Sequence, residues 1–230
     1  VGEYFDLFHY LGDKGGGEQE KEDGKKDREK VPDSSPLAEA ARVATLEQWR
    51  EYCLQCQRCP LREGACGVVF GEGSPQAEIV FVGEGPGAEE DRLGRPFVGP
   101  AGQLLDRIIN AAGLKREDVY IANIVKCRPR GNRAPLKEEM EACYPLLEKQ
   151  LELIDPPIVV CLGAVAARVL VSPGISITRE RGQWHRWGRR MVMPTFHPAA
   201  LLRDPRKKRP VWEDMQQVMS LYRELQRKGS

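Results

Sequence analysis

Four short apolar runs punctuate the chain after residue 76: "AEIVFVG" (77–83), "DVYIANIV" (118–125), "PPIVVCLG" (156–163) and "RRMVMPTFHP" (189–198). Each is too short for a buried helix and is bounded by turn residues, which is the pattern of a strand covered on both faces. Between them the period changes. "GPAGQLLDRIINAAGL" places apolar side chains at 104, 105, 108, 109 and 112, a helical stripe that Gly113 can end. "LKEEMEACYPLLEKQLELI" reads as a second helix, kinked or split at Pro145. "AVAARVLV" follows the third run, and "WEDMQQVMSLYRELQRK" closes the chain as a helix. Strand–helix alternation of this kind predicts an α/β fold, a three-layer α/β/α sandwich around a central four-stranded parallel sheet. Ligands in such folds sit at the carboxyl ends of strands. Gly83–Gly87, Asn123–Pro129, Gly163–Val165 and Phe196–Ala199 are therefore expected to converge on one crevice.

The first 44 residues break this pattern. From 13 to about 40 the chain is Gly, Lys, Glu, Asp, Ser and Pro with almost no large apolar residue. Such a composition cannot bury a core and reads as disordered. An apolar island, "EYFDLFHYL" (3–11), precedes it, and helical spacing (Leu46, Trp49, Tyr52) follows it. The expected organisation is an extension, 1–44, and a folded domain, 45–230.

The formal net charge of the 230 residues is +1, so the total says nothing about partners. Its distribution does. Arg179–Arg209 holds ten Lys/Arg against Glu180 and Asp204, and Lys126–Arg133 holds four basic residues and no acidic one. Two basic patches on a neutral chain suit a polyanion bound on one face. No apolar run reaches the roughly 18 residues of a membrane span, and no signal peptide is visible. Seven cysteines are an odd number, in a chain too large to need disulfide staples. They read as reduced or metal-bound thiols of a cytoplasmic protein.

Two motifs carry chemistry. "GEGPGAEEDRLGRPFVGPAGQLL" (83–105) follows the first strand, and Gly83, Gly85 and Ala88 fit a loose dinucleotide-binding pattern. Glu84, Glu89, Glu90 and Asp91 crowd the same loop and would repel a pyrophosphate. The second motif is sulfur. Cys56, Cys59, Cys127 and Cys143 could form an all-thiolate site for Zn or an Fe–S cluster, which spacing barely separates. Cys53 with Cys56 is an equally good C-x-x-C on paper, Cys66 is ambiguous, and Cys161 inside a strand reads as core.

Taken together, "CQRCPL", "VVFGEG", "VGEGPGAEEDRLGRPFVGPAGQLLDRI", "VYIANIVKCRPRGNRAP", "CLGAVAA" and "PTFHPAALLRDP" resemble the family 4 uracil-DNA glycosylases, the iron–sulfur branch of their superfamily. The resemblance spans roughly 46–225. It implies one [4Fe–4S] cluster per chain on Cys56, Cys59, Cys127 and Cys143, structural in role, with no counterpart for Cys53 or Cys66. It implies a pocket for a flipped uracil, with Phe97 as aromatic platform and Asn123 reading O4 and N3–H. His197 and the Gly85 N–H would donate to O2. The position that carries a water-activating Asp in other branches is Gly85, so that role passes to Glu84 first and Glu90 second, with Asn132 helping to hold the water. Glu89 and Asp91 read as solvated loop charges. Leu201 or Leu202 would fill the gap left by the base, and Arg203 with the Arg206–Arg209 group would grip phosphates. The implied protein is a monofunctional glycosylase on uracil-containing DNA, monomeric, cytoplasmic and nucleoid-associated. The alternative is a non-catalytic Fe–S DNA-binding module of the same superfamily. "YFDLF" (Tyr4–Phe8) resembles a sliding-clamp-binding peptide with Tyr4 in place of the usual leading Gln.

Overall fold

The computed structural model of the protein describes residues 43–229. The apolar island, the Tyr4–Phe8 peptide and the polar stretch behind them lie outside the described residues. The elements run α1 (Leu46–Leu54), α2 (Leu61–Gly64), β1 (Glu72–Gly73), β2 (Ile79–Gly83), α3 (Ala88–Leu93), α4 (Pro100–Ala111), β3 (Tyr120–Asn123), α5 (Lys137–Ile154), β4 (Ile158–Leu162), α6 (Ala164–Leu170), α7 (Ile177–Glu180), β5 (His185–Trp187), β6 (Arg190–Thr195), α8 (Pro198–Arg203) and α9 (Lys208–Gly229). Short 3-10 turns sit at Arg116–Asp118, Arg130–Asn132 and Pro205–Lys207.

The sheet has six strands in the order β1-β3-β2-β4-β6-β5. The four expected strands form its parallel centre, β3-β2-β4-β6. The two additional strands, β1 and β5, pair antiparallel at the edges. They are two and three residues long, too short to leave an alternation in the sequence.

Side chains alternate across each strand, so one strand feeds two cores. Val80 and Val82 of β2 pack with Trp49 and Cys53 of α1, Leu146, Leu147 and Leu151 of α5, and Ala166 and Ala167 of α6. Ile79 and Phe81 pack on the other face with Leu104, Leu105 and Ile109 of α4 and Val211, Met215 and Val218 of α9. These are the two outer layers. Each fully buried Leu or Val contributes about 1.5–3 kcal/mol by leaving water.

Helix ends follow local chemistry. Thr45 caps α1 by accepting from the Gln48 N–H. Gly113, at φ 83°, lies two residues past the end of α4, where the sequence places the stop. Pro145 neither kinks α5 into two nor ends it: one helix runs through 137–154. Its apolar face, Cys143, Leu146, Leu147, Leu151 and Ile154, is pinned to the sheet and outweighs the lost backbone donor.

Candidate active site

The parallel register brings the carboxyl ends of the central strands together. Gly83 at the end of β2 lies opposite Asn123 at the end of β3. Leu162 at the end of β4 lies opposite Thr195, two residues before His197. Three of the strand ends expected to converge, at Gly83, Asn123 and Phe196–Ala199, come together here, with Phe97 and Gly163 beside them.

Gly83 is a glycine because its neighbours leave no room. A Cβ there would stand 2.5 Å from Asn123 Oδ1 and 2.5 Å from the Phe97 ring. Asn123 is almost wholly buried, and its Oδ1 has no hydrogen-bond partner. A buried orphan acceptor costs roughly 1–3 kcal/mol, which a ligand's donor would offset. Phe97 stands beside it with φ 51°, in the left-handed region that L-residues rarely adopt. Its ring lies 5.5 Å from that of His197, tilted by 31°.

His197 is the N-cap of α8, and its Nδ1 accepts from the Ala199 N–H at 3.1 Å. That bond puts the ring proton on Nε2. Burial pushes the imidazole down to about 4, Arg203 adds to the effect and the Glu90 carboxylate opposes it. Near neutral pH the ring is uncharged and offers Nε2–H as a donor. Gly163, at φ 96°, lets its backbone pass the His197 side chain, since a Cβ would stand 3.0 Å from His197 Cβ.

The acidic loop divides into distinct roles. Glu84 is half-buried, and burial raises its carboxyl above the ordinary 4.5. At Gly85 a Cβ would lie 2.7 Å from Val125 Cγ2, so the residue stays bare and its backbone approachable. Glu89 pairs with Arg92 in solvent, as a surface charge should. Two expectations need correction. Glu90 directs Oε1 at the Val98 and Gly99 N–H groups, at 2.9 and 2.8 Å, and Oε2 at the Gly87 N–H. Its carboxylate fastens the loop and is poorly placed to activate water. Asp91 is buried, not solvated, and accepts from the Cys66 N–H at 2.9 Å.

At the rim, Asn132 is exposed and its Oδ1 accepts from Arg128 Nε at 2.7 Å. On α8, Leu201 is 1% exposed and packs in the core with Leu105 and Met215. It cannot enter a duplex without leaving that core, which corrects its candidacy as a wedge. Leu202, one position on, is 45% exposed. Arg203 is exposed beside it, and Arg206 is exposed though paired with Asp204.

A second cluster of chemistry-bearing side chains is built from sulfur. Cys56, Cys59, Cys127 and Cys143 line one cavity, with Leu61, Val68, Lys126 and Leu146 around them. Cys53 and Cys66 do not line it. Burial pushes the Cys127 thiol up to about 12 and the Cys143 thiol to about 11. Buried sulfurs of this kind ionise readily once a cation supplies the counter-charge. Among the described residues no three His, Cys, Asp or Glu side chains converge tightly enough to hold one ion. Zinc needs four thiolates at about 2.3 Å from one point. Four thiols lining one cavity are the donor set that either zinc or an iron–sulfur cluster takes.

Lys126 opens one of the two basic stretches of the sequence, yet it is buried and adds nothing to a surface patch. Its backbone N–H reaches Cys143 Sγ at 3.3 Å, and its ammonium donates to Gln150 Oε1. Gln150 in turn donates to the Phe70 carbonyl at 2.9 Å and Tyr120 Oη at 3.0 Å. No short motif marks this network, because its members are up to 80 residues apart.

Fold and site together define an α/β protein with polar groups gathered at the carboxyl ends of its parallel strands and a separate thiol-lined cavity. Residues 70–216 match the family model described as the uracil DNA glycosylase superfamily. The "Type-4 uracil-DNA glycosylase" of Thermotoga maritima is 47% identical over 183 residues, 78% of this chain and 95% of that protein. Those of Sulfurisphaera tokodaii and Archaeoglobus fulgidus are each 42% identical, over 77% and 78% of this chain and 84% and 94% of their own lengths. The chain belongs to the uracil-DNA glycosylase superfamily and, within it, to the type-4 family.

Proposed function

We propose that this protein hydrolyses the N-glycosidic bond of a deoxyuridine flipped out of DNA, releasing uracil and leaving an abasic site for base-excision repair. The observation that carries the reading is Asn123 Oδ1, buried without a partner beside Gly83, where the Phe97 ring also closes in. A flat base stacks on Phe97, and unstacking it from DNA costs a few kcal/mol. Asn123 Oδ1 accepts from uracil N3–H, and its amide N–H donates to O4. Cytosine presents the opposite polarity and leaves a buried amide unpaired, a large penalty in a dry site. As the bond to the sugar breaks, charge gathers on O2, where His197 Nε2–H and the Gly85 N–H are the donors. A neutral imidazole suits this task because it needs no buried charge in the resting enzyme. Glu84 places the water or faces the cationic sugar, with Asn132 helping from the rim. Leu202 fills the gap in the stack, and Arg203 with the Arg206–Arg209 group holds phosphates.

Cys56, Cys59, Cys127 and Cys143 would hold one [4Fe–4S] cluster, which would supply a cross-link between the α1–α2 segment, the loop after β3 and α5. The protein is further proposed to be a monomer associated with the nucleoid, and reduced thiols suit a cytoplasmic enzyme; no helix among the described residues is long and apolar enough to cross a membrane. The Tyr4–Phe8 peptide is proposed to tether the enzyme to a sliding clamp, raising its local concentration on DNA. A titration of the 1–20 peptide against the clamp, weakened by Leu7→Ala and Phe8→Ala, checks it.

The deciding assay is release of uracil from a labelled oligonucleotide, against the same strand without uracil. Uracil release with strand breaks appearing only after heat or alkali is expected. DNA binding without release would favour the non-catalytic module, and breaks without heat or alkali would contradict a monofunctional glycosylase.

A further inference from the structure

The geometry points to Arg116 as a positioning residue for the base, and this rests on the glycosylase reading above. We propose that its guanidinium holds the Phe97 ring in place from outside the pocket. Four backbone groups of the Pro96–Gly99 loop are held by two side chains. Arg116 donates to the Phe97 carbonyl at 3.2 Å and to the neighbouring Pro96 carbonyl, while Glu90 takes the Val98 and Gly99 N–H groups. A cation thus grips the carbonyls and an anion the amides of one loop, with Phe97 strained at φ 51° between them.

The guanidinium is itself aimed. Asp106 of α4 takes Nη1 at 2.7 Å, and Glu72 of β1 takes Nε at 3.2 Å. Gly102 closes the remaining side: a Cβ there would lie 1.9 Å from the Phe97 carbonyl oxygen. Arg116 also opens the 3-10 turn Arg116–Asp118, just before β3, the strand that carries Asn123. It therefore ties the stacking platform to the strand that reads the base edge, and fixes the spacing between the two. A lysine ammonium is a single point with three donors and cannot serve two carbonyls and two carboxylates at once.

The test compares Arg116→Lys and Arg116→Met, each alone and combined with Phe97→Ala. It reads steady-state kinetics on a uracil oligonucleotide, binding of free uracil and melting temperature. Arg116→Met is expected to raise KM and weaken free-uracil affinity together by about tenfold, the scale of losing one base–aromatic stack, with kcat changed less. Arg116→Lys falls between. In the Phe97→Ala background neither substitution adds more than about twofold, since both act through the same ring. Equal losses in both backgrounds, or unchanged uracil affinity in a folded Arg116 variant, would overturn the proposal. Where Arg116→Met fails to fold, Arg116→Lys carries the same comparison, and the same two results support or overturn the role. A wild-type chain that binds uracil but releases none from DNA would remove the functional reading, while the variants' uracil affinities still decide the role of Arg116. Neither binding nor release would overturn both.

Discussion

Burial acts on Glu84 and His197 in opposite directions, and each shift sets a protonation state. It pushes His197 down to about 4, so the ring stays a neutral donor through the working range. It raises Glu84 above 4.5, so the carboxylate, the form that serves water or a cationic sugar, is lost as pH falls through a value above the ordinary one. The kcat/KM profile is therefore expected to drop on its acid side with an apparent pKa above 4.5. Glu84→Gln should lower activity by about 10²–10⁴, the range for one acid–base group, and flatten that limb. A limb that stays put near 4 in Glu84→Gln would give the titration to His197. Asn123→Asp replaces the amide donor with a carboxylate. It should lower the ratio of uracil to cytosine excision by at least about 10², because discrimination by a buried hydrogen-bonding group reaches about 10⁴–10⁵. An unchanged ratio would take Asn123 out of the pocket.

Adjacent leucines on α8 show how one helix splits its duties. Leu201→Ala should cost about 2–5 kcal/mol of stability by opening the core it fills, measured by denaturant titration. Leu202→Ala should leave the melting temperature nearly unchanged and reduce excision from duplex more than from single strands. Equal effects on both substrates would end its role as a wedge. Helix α4 offers a sharper case. Alanine is about 1 kcal/mol better than glycine inside a helix, yet Gly102→Ala places a methyl 1.9 Å from the Phe97 carbonyl oxygen. Weaker uracil binding is expected despite the better helix former. The helix itself is legible from Leu104, Leu105, Ile108 and Ile109, but the reason for Gly102 is not. It depends on a loop whose left-handed residue no local pattern announces.

Across the whole molecule the sulfur site joins three segments distant in sequence. If the proposed cluster is present, Cys143→Ala is expected to lose most of its four irons per chain and to lower the melting temperature, read by iron analysis and calorimetry. Cys53→Ala and Cys66→Ala should keep their iron, as neither thiol lines the cavity. One zinc and no iron after anaerobic purification would defeat the cluster. The central strands, the helices between them and the crevice at Gly83, Asn123 and His197 could be read from the chain, because hydrophobic period and turn residues are local properties. The resemblance added roles to those positions. Tertiary structure decided the rest: the edge strands β1 and β5, the burial of Lys126 and Asp91, the fastening of the loop by Glu90, and the division between Leu201 and Leu202. Whether a charge faces solvent or a leucine faces the core depends on what packs against it from far along the chain. An apolar run determines that a strand forms, whereas its neighbours determine which side chains remain free to act.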